Sequence, residues 1–324
     1  MLVGGATAAH AQAPATVDAC ATRSDVLGLS RIVEVDADKG PAFGKAPAGG
    51  FDFLADGEVI LTFDDGPSRS HTGAVLDALD AHCTKATFFM VGRMAAADPP
   101  MVQEVARRGH TVAAHTWSHA RLPDLNAERA KHEIELGFSA VARAMEGPIA
   151  PFFRFPYLRT NKTSIDHLKS RHIASFGIDV DSRDFETRAG STVKANVLAQ
   201  LQARRKGIVL FHDIQLSTAR GIKDILDALK AHGYKIVHIV PKAPATTLSD
   251  FDTLADREIV QRKQSSSQGP LAPRSVVWSQ SGAENTSGEV LPWASPRNNT
   301  QAPTKAKALR KSKHVPWYEQ WLQP

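Results

Sequence analysis

Between residues 57 and 240 the chain alternates short apolar runs with longer amphipathic ones. The runs at 59–64, 86–91, 111–115, 152–155, 173–180, 208–212 and 235–240 are short and rich in β-branched and aromatic residues, which predicts strands. Stretches at 72–82, 100–108, 127–145, 164–171, 193–204 and 219–232 repeat their apolar positions with the period of a helix. Gly109, Gly207 and Gly233 stand just past the predicted helix ends, where a left-handed residue is wanted. Seven strands separated by helices predict a parallel sheet with helical crossovers, either closed as a barrel or open and doubly wound. Such folds assemble their chemistry where the strands end, and polar residues concentrate there.

Outside this region the pattern lapses. Residues 265–303 are rich in Ser, Gln, Pro, Asn and Gly without period, so 243–324 is expected to be a low-complexity, mostly disordered tail with a basic and aromatic end. Four of the five tryptophans (Trp278, Trp293, Trp317 and Trp321) fall in it. The same tail explains the net charge of +5: from residue 304 onward five basic residues face Glu319 alone. The remaining chain is nearly balanced, which argues against a nucleic-acid partner. No run approaches the ~20 apolar residues of a membrane-spanning helix. Residues 1–13 end in Ala-His-Ala-Gln-Ala and resemble the end of a secretory signal whose basic and apolar parts are missing, so export to the periplasm, cell envelope or medium is expected. Two cysteines, Cys20 and Cys83, leave two readings open. An exported chain could join them and staple the N-terminal strap, 14–56, to the core; otherwise they are buried thiols.

Familiar signatures are missing: there is no G-x-G-x-x-G, P-loop or G-x-S-x-G, and His132-Glu133 lacks the second histidine of a metalloprotease, position 136 being leucine. What remains lies at successive strand ends. The first strand runs out in Asp64-Asp65, two carboxylates that repel unless they share a cation or have separate partners. The third ends in His115-Thr116-Trp117-Ser118-His119, a histidine spacing that lets both imidazoles reach one metal. One carboxylate with two histidines is a catalytic-metal donor set. Arg154 interrupts an apolar run and needs an anion if it points inward, and His212 tips the sixth strand.

In this order the segments 62–66, 115–119, 154–157, 181–185 and 210–212 match the five motifs of, and the chain therefore resembles, the NodB-type polysaccharide deacetylases, carbohydrate esterase family 4. The resemblance implies an α/β fold, a distorted parallel (β/α) barrel of about seven strands, with the catalytic domain at 57–242. It implies that Asp65, His115 and His119 bind Zn²⁺ or another divalent transition metal such as Co²⁺. Asp64 would be the general base towards the water that attacks an acetamide carbonyl, with Arg154 aiming it. His212 would be the general acid, oriented by Asp184, with Asp181 as the other candidate for that partner. The Tyr157 backbone N–H would stabilise the oxyanion, and Leu210, Phe185 and Pro156 would line the pocket for the acetyl methyl. Phe185 departs from the family, which usually has tryptophan there, so the pocket wall is altered.

The implied activity is N-deacetylation of N-acetylglucosamine units in a polysaccharide or oligosaccharide: peptidoglycan, chitin or an exopolysaccharide. Two alternatives share the residues: an O-acetyl esterase or small cyclic-amide hydrolase on the same metal site, and a non-catalytic glycan-binding barrel. Removal of everything after Lys242 is expected to spare the chemistry.

Overall fold

The computed structural model describes residues 20, 23–45 and 50–267, all within a unit that ends at Ser267. The expected signal remnant and most of the expected tail lie outside the described residues. Among the described residues there are ten strands: β1 (Arg31–Val35), β2 (Ala42–Phe43), β3 (Glu58–Asp64), β4 (Thr87–Met90), β5 (Thr111–Ala114), β6 (Phe152–Phe153), β7 (Ala174–Phe176), β8 (Val180–Asp181), β9 (Gly207–His212) and β10 (Lys235–Pro241). The helices are α1 (Thr72–Ala81), α2 (Gly92–Ala97), α3 (Pro99–Arg107), α4 (Ala127–Met145), α5 (Lys162–Ser170), α6 (Gly190–Arg204), α7 (Leu216–Ala231) and α8 (Ser249–Ser267).

All pairings between these strands are parallel. Strand β3 pairs β4, then β5, β6 and β7 follow in order, while on its other edge β3 pairs β9 and β9 pairs β8. One predicted strand, 173–180, therefore closes the ring by changing partner: its first part, β7, bonds β6, and its end, β8, bonds β9. The result is a distorted (β/α) barrel. Strand β10 joins only the first two residues of β3 and carries β1 on its outer side.

Alternation along the strands sorts the core into two layers. Ile60, Phe89, Ala113, Phe152, Ala174, Phe176 and Ile208 form one apolar cluster, whereas their neighbours Leu61, Phe88, Val112, Phe153 and Val209 pack into another with the apolar faces of the helices. The first set faces inward, the second outward, as period-2 strands wrapped by helices require. Continuing the inward parity past each apolar residue leads to Asp64, His115, Arg154 and His212. The polar residues at the strand tips therefore converge over the barrel axis.

Several expectations change. The strap, for which no strand was expected, supplies β1, which pairs β10, and β2, which pairs β7. Gly44, with φ 72°, lies so near the seam between β7 and β9 that a Cβ there would stand 3.1 Å from the Gly177 carbonyl carbon and from Ile208 Cδ1. The tail boundary at 243 also moves, because α8 packs its Ala255, Phe251 and Leu254 onto Leu136 and Ala140 of α4. Its polar composition concealed a helix with one apolar edge. The left-handed residue that caps α6 is Arg205 (φ 70°), while Gly207, also at positive φ (150°), opens β9. A disulfide joins Cys20 to Cys83, just past α1, so the stapled reading is the one observed.

Candidate active site

Strand β3 delivers two successive carboxylates to the mouth of the barrel, and Asp65 takes the left-handed conformation (φ 75°) as the chain leaves the sheet. The turn reverses the parity that alternation would give it, so Asp64 and Asp65 both reach the mouth. Asp65 Oδ1 lies 3.4 Å from His115 Nε2 and 3.2 Å from His119 Nε2. These three side chains each offer one donor atom within 4.8 Å of the others, a possible Asp/His/His metal site.

The donor set suits a divalent transition metal. Asp65 Oδ1 is buried with no hydrogen-bond partner, an arrangement that is costly unless a cation completes it. His115 donates Nδ1–H to the Arg154 carbonyl at 2.7 Å, which leaves the Nε2 lone pair turned towards Asp65. Burial lowers the pKa of His119 to about 4, keeping its imidazole neutral and able to ligate. Burial pushes Asp65 upward, but the imidazoles of His119, His115 and His212 outweigh it and hold the carboxyl below the usual range.

On one flank, Asp64 Oδ1 accepts a 2.7 Å hydrogen bond from Arg154. The guanidinium is wholly buried and spends three more donors on Thr62 Oγ1 and the carbonyls of Phe176 and Gly177, with the Phe89 ring 4.3 Å below its central carbon. Burial lowers its pKa, opposed by Asp64 and Asp179. A guanidinium held by four hydrogen bonds can fix a carboxylate in one orientation.

On the other flank, His212 donates Nδ1–H to Asp184 Oδ1 at 2.7 Å, and its backbone N–H bonds Asp184 Oδ2 at 2.7 Å. Thr218 and Asp184 also bond through their side chains. Burial lowers the His212 pKa, but Asp184, with Asp65 and Asp64, overcomes it and raises the value to about 10. The ring is thus an imidazolium at neutral pH, with Nε2 3.9 Å from Asp65 Oδ2. Asp181 is not the partner: its carboxylate accepts from the Arg183 backbone N–H.

Tyr157 is left-handed (φ 58°) in the tight turn that begins at Pro156, and its ring lies 4.6 Å from that of His119. Pro156 and Leu210 are buried near the mouth. Phe185 meets His212 edge-on at 5.8 Å but is 45% exposed, so this wall is half open. All eleven singled-out residues therefore occur at the same end of the barrel.

Sequence reasoning passed over the partners behind them. Thr218 on α7 bonds Asp184, yet a single polar residue in a helix carries no distinguishing signal; Thr62, which opens the 62–66 motif, accepts from Arg154, a role the motif alone did not assign. Asp213 is buried too, bonded by the Thr72 hydroxyl at 2.5 Å and packed where a Cβ on Gly66 would clash at 2.3 Å. Burial raises its pKa to about 7.

Comparison with known proteins supplies the context. Residues 54–174 match the polysaccharide deacetylase family model. Over 181 residues the chain is 35% identical to the peptidoglycan-N-acetylglucosamine deacetylase PgdA of Listeria monocytogenes, covering 56% of this chain and 38% of that protein. A Bdellovibrio bacteriovorus peptidoglycan deacetylase shares 32% identity and superposes with a TM-score of 0.62 over 68% of this chain and 62% of the other. A family 4 carbohydrate esterase from Streptomyces lividans, solved with acetate, gives 29% identity and a TM-score of 0.50 over 60% of this chain and 99% of that one. The chain spans only about two fifths of the Listeria protein's length. With this barrel and these relatives, the chain carries a polysaccharide deacetylase domain, matched by the family model over 54–174, with the NodB-type fold of carbohydrate esterase family 4.

Proposed function

We propose that this domain is a metal-dependent N-deacetylase that removes acetyl groups from N-acetylglucosamine units of a cell-envelope polysaccharide, with peptidoglycan the preferred polymer. The observation that carries this reading is the placement of the Asp65, His115 and His119 donors between an Arg154-bound carboxylate and a protonated imidazole. The names of the Listeria and Bdellovibrio relatives favour peptidoglycan. A substrate in the cell wall would require export, consistent with the residues at 1–13.

Asp65, His115 and His119 would hold Zn²⁺ or Co²⁺; an N₂O donor set suits either. When bound, such an ion makes water acidic near neutrality and polarises a carbonyl. Asp64, aimed by Arg154, would take the proton from the attacking water. The left-handed turn at Tyr157 supports a backbone N–H turned towards the developing oxyanion. His212 would donate Nε2–H to the departing sugar nitrogen while Asp184 stabilises its charge. Leu210, Pro156 and the half-open Phe185 wall would receive the acetyl methyl group. An amine must be protonated to leave, whereas an alcohol is the better leaving group, so a His212 held in its proton-donating form near neutral pH favours amide hydrolysis over ester hydrolysis.

The test is acetate release from peptidoglycan, chito-oligomers and an acetylated exopolysaccharide, before and after chelation and Zn²⁺ addition. Chelation should abolish release and Zn²⁺ restore it, with peptidoglycan fastest. Release indifferent to chelator would refute the metal reading. No release from any polymer by the Zn²⁺-loaded protein, with retained glycan binding, would favour the non-catalytic alternative.

A further inference from the structure

The histidines of the metal set sit at the two ends of a five-residue turn whose backbone is unusual. Thr116 and His119 both have left-handed φ, 64° and 61°. Neither is glycine, so the conformation persists only where surrounding contacts over-determine it.

Those contacts converge on Glu133, four residues from Gly137 and on the same face of α4. The Glu133 carboxylate accepts the Ser118 backbone N–H at 2.8 Å through Oε2 and the Ser118 hydroxyl at 2.7 Å through Oε1. Its own carbonyl accepts the Trp117 N–H at 2.8 Å. At Gly137 the helix comes so near that a Cβ would stand 2.6 Å from the Thr116 carbonyl carbon. The opposite side is fixed by α2, where the N–H groups of Gly92 and Arg93 bond the carbonyls of Thr116 and Trp117, each at 2.9 Å. Helix α8 covers the remaining side: the Trp117 ring packs with Phe251, Leu254 and Ala255, and Arg262 lies 5.7 Å from the ring centroid.

We propose that Glu133 is a positioning residue for the candidate metal site, fixing the 116–119 turn so that His115 and His119 present Nε2 to the same point. The proposal rests on the metal reading above. Two charge-assisted bonds to one residue, Ser118, set the turn's height over α4, and the α8 cap prevents Trp117 from swinging out and taking the turn with it. Glu133 touches neither donor atom, and its effect is on the geometry of the pair. Glu133 belongs to the His132-Glu133 pair that fails as a metalloprotease motif, and its importance arises from the turn it faces.

The experiment measures Zn²⁺ affinity of the full chain by competition with a chromophoric chelator, alongside urea unfolding of the metal-free protein. Glu133→Ala should bind Zn²⁺ about 10- to 100-fold more weakly, the usual cost of losing an outer-shell support. Glu133→Gln, which keeps one acceptor, should recover part of the affinity. Ser118→Ala combined with Glu133→Ala should lose little more than Glu133→Ala alone, because Glu133→Ala already removes the Ser118 hydroxyl bond together with the backbone one. Wild-type affinity in folded Glu133→Ala overturns the proposal. Should that variant fail to fold, wild-type affinity in both Glu133→Gln and Ser118→Ala overturns it equally. A parent chain that takes up no Zn²⁺ sinks the metal reading and this proposal together; variants that match a Zn²⁺-binding parent sink this proposal alone.

Discussion

Replacing Asp184 by asparagine tests the chemistry most directly, because it keeps the side-chain shape and deletes one charge. In the native site Asp184, with smaller contributions from Asp65 and Asp64, raises His212 to about 10 against the opposing pull of burial. Without the carboxylate, His212 should fall towards or below its ordinary ~6.5. That fall corresponds to about 5 kcal/mol of preference for the imidazolium, at ~1.4 kcal/mol per pH unit. At pH 8 the protonated fraction would drop from nearly complete to about 3 in 100, so turnover should fall roughly 30-fold and recover as the pH is lowered to 6. Initial rates of acetate release from pH 5 to 10, with an NMR titration of the His212 ring in metal-free protein, measure both quantities. Stability should follow: a histidine with a raised folded pKa stabilises fully below ~6.5 and loses that contribution as pH rises through about 10, so Asp184→Asn should weaken the fold at pH 7. A loss equal at pH 6 and pH 8, or an unmoved His212 titration, refutes the reasoning.

The two adjacent carboxylates should separate cleanly: Asp64→Asn should keep Zn²⁺ and lose turnover, while Asp65→Ala should lose Zn²⁺, as read by metal analysis after dialysis. Equal metal loss in both would reverse their roles. Reduction of Cys20–Cys83, which spans 63 residues, should cost about 4 kcal/mol in urea unfolding by loss of chain constraint; an unchanged midpoint would show that the bridge does not constrain the unfolded chain. His110 and His238 are buried and titrate at about 3 and about 4. Their depressed values give stability that is present above ~6.5 and lost as pH falls, about 3 kcal/mol for the pair between pH 6.5 and 5. Thermal unfolding across that window should show the loss, roughly halved in His238→Gln; an identical slope in that variant would assign it elsewhere. Truncation after Lys242 now carries a different expectation, since it strips α8 from Trp117: Zn²⁺ affinity should weaken.

The barrel staves were legible because their inward and outward residues are both apolar, leaving β3 as a continuous buried run, 58–64. The strap strands were not, since β1 is an exposed Arg-Ile-Val-Glu-Val edge whose pairing with β10 depends on a partner two hundred residues away. Helix α8 was missed for a similar reason: one side meets α4 while the rest stays polar. At the site, the residues that act on substrate stand at strand tips in short dense motifs. Their supports, Glu133 and Thr218, come from helices where a polar residue ordinarily faces water. Even the choice between Asp181 and Asp184, open in the sequence, required the 2.7 Å contact to His212.

The parallel arrangement of strands also divides the molecule by function. Every candidate catalytic residue lies at the C-terminal ends of the strands, whereas Cys83 follows α1, and His110 precedes β5, at the opposite end. His110 accepts from the Ala86 N–H, and His238 bonds Thr111 at the start of β5, so the acid-sensitive pair is built into the floor. Acid or a reductant acting there would alter how long a molecule survives without changing how fast an intact one turns over. Initial velocity and operational half-life should consequently have separate pH profiles, and an apparent pH optimum would drift with incubation time while the optimum extrapolated to zero time stayed fixed.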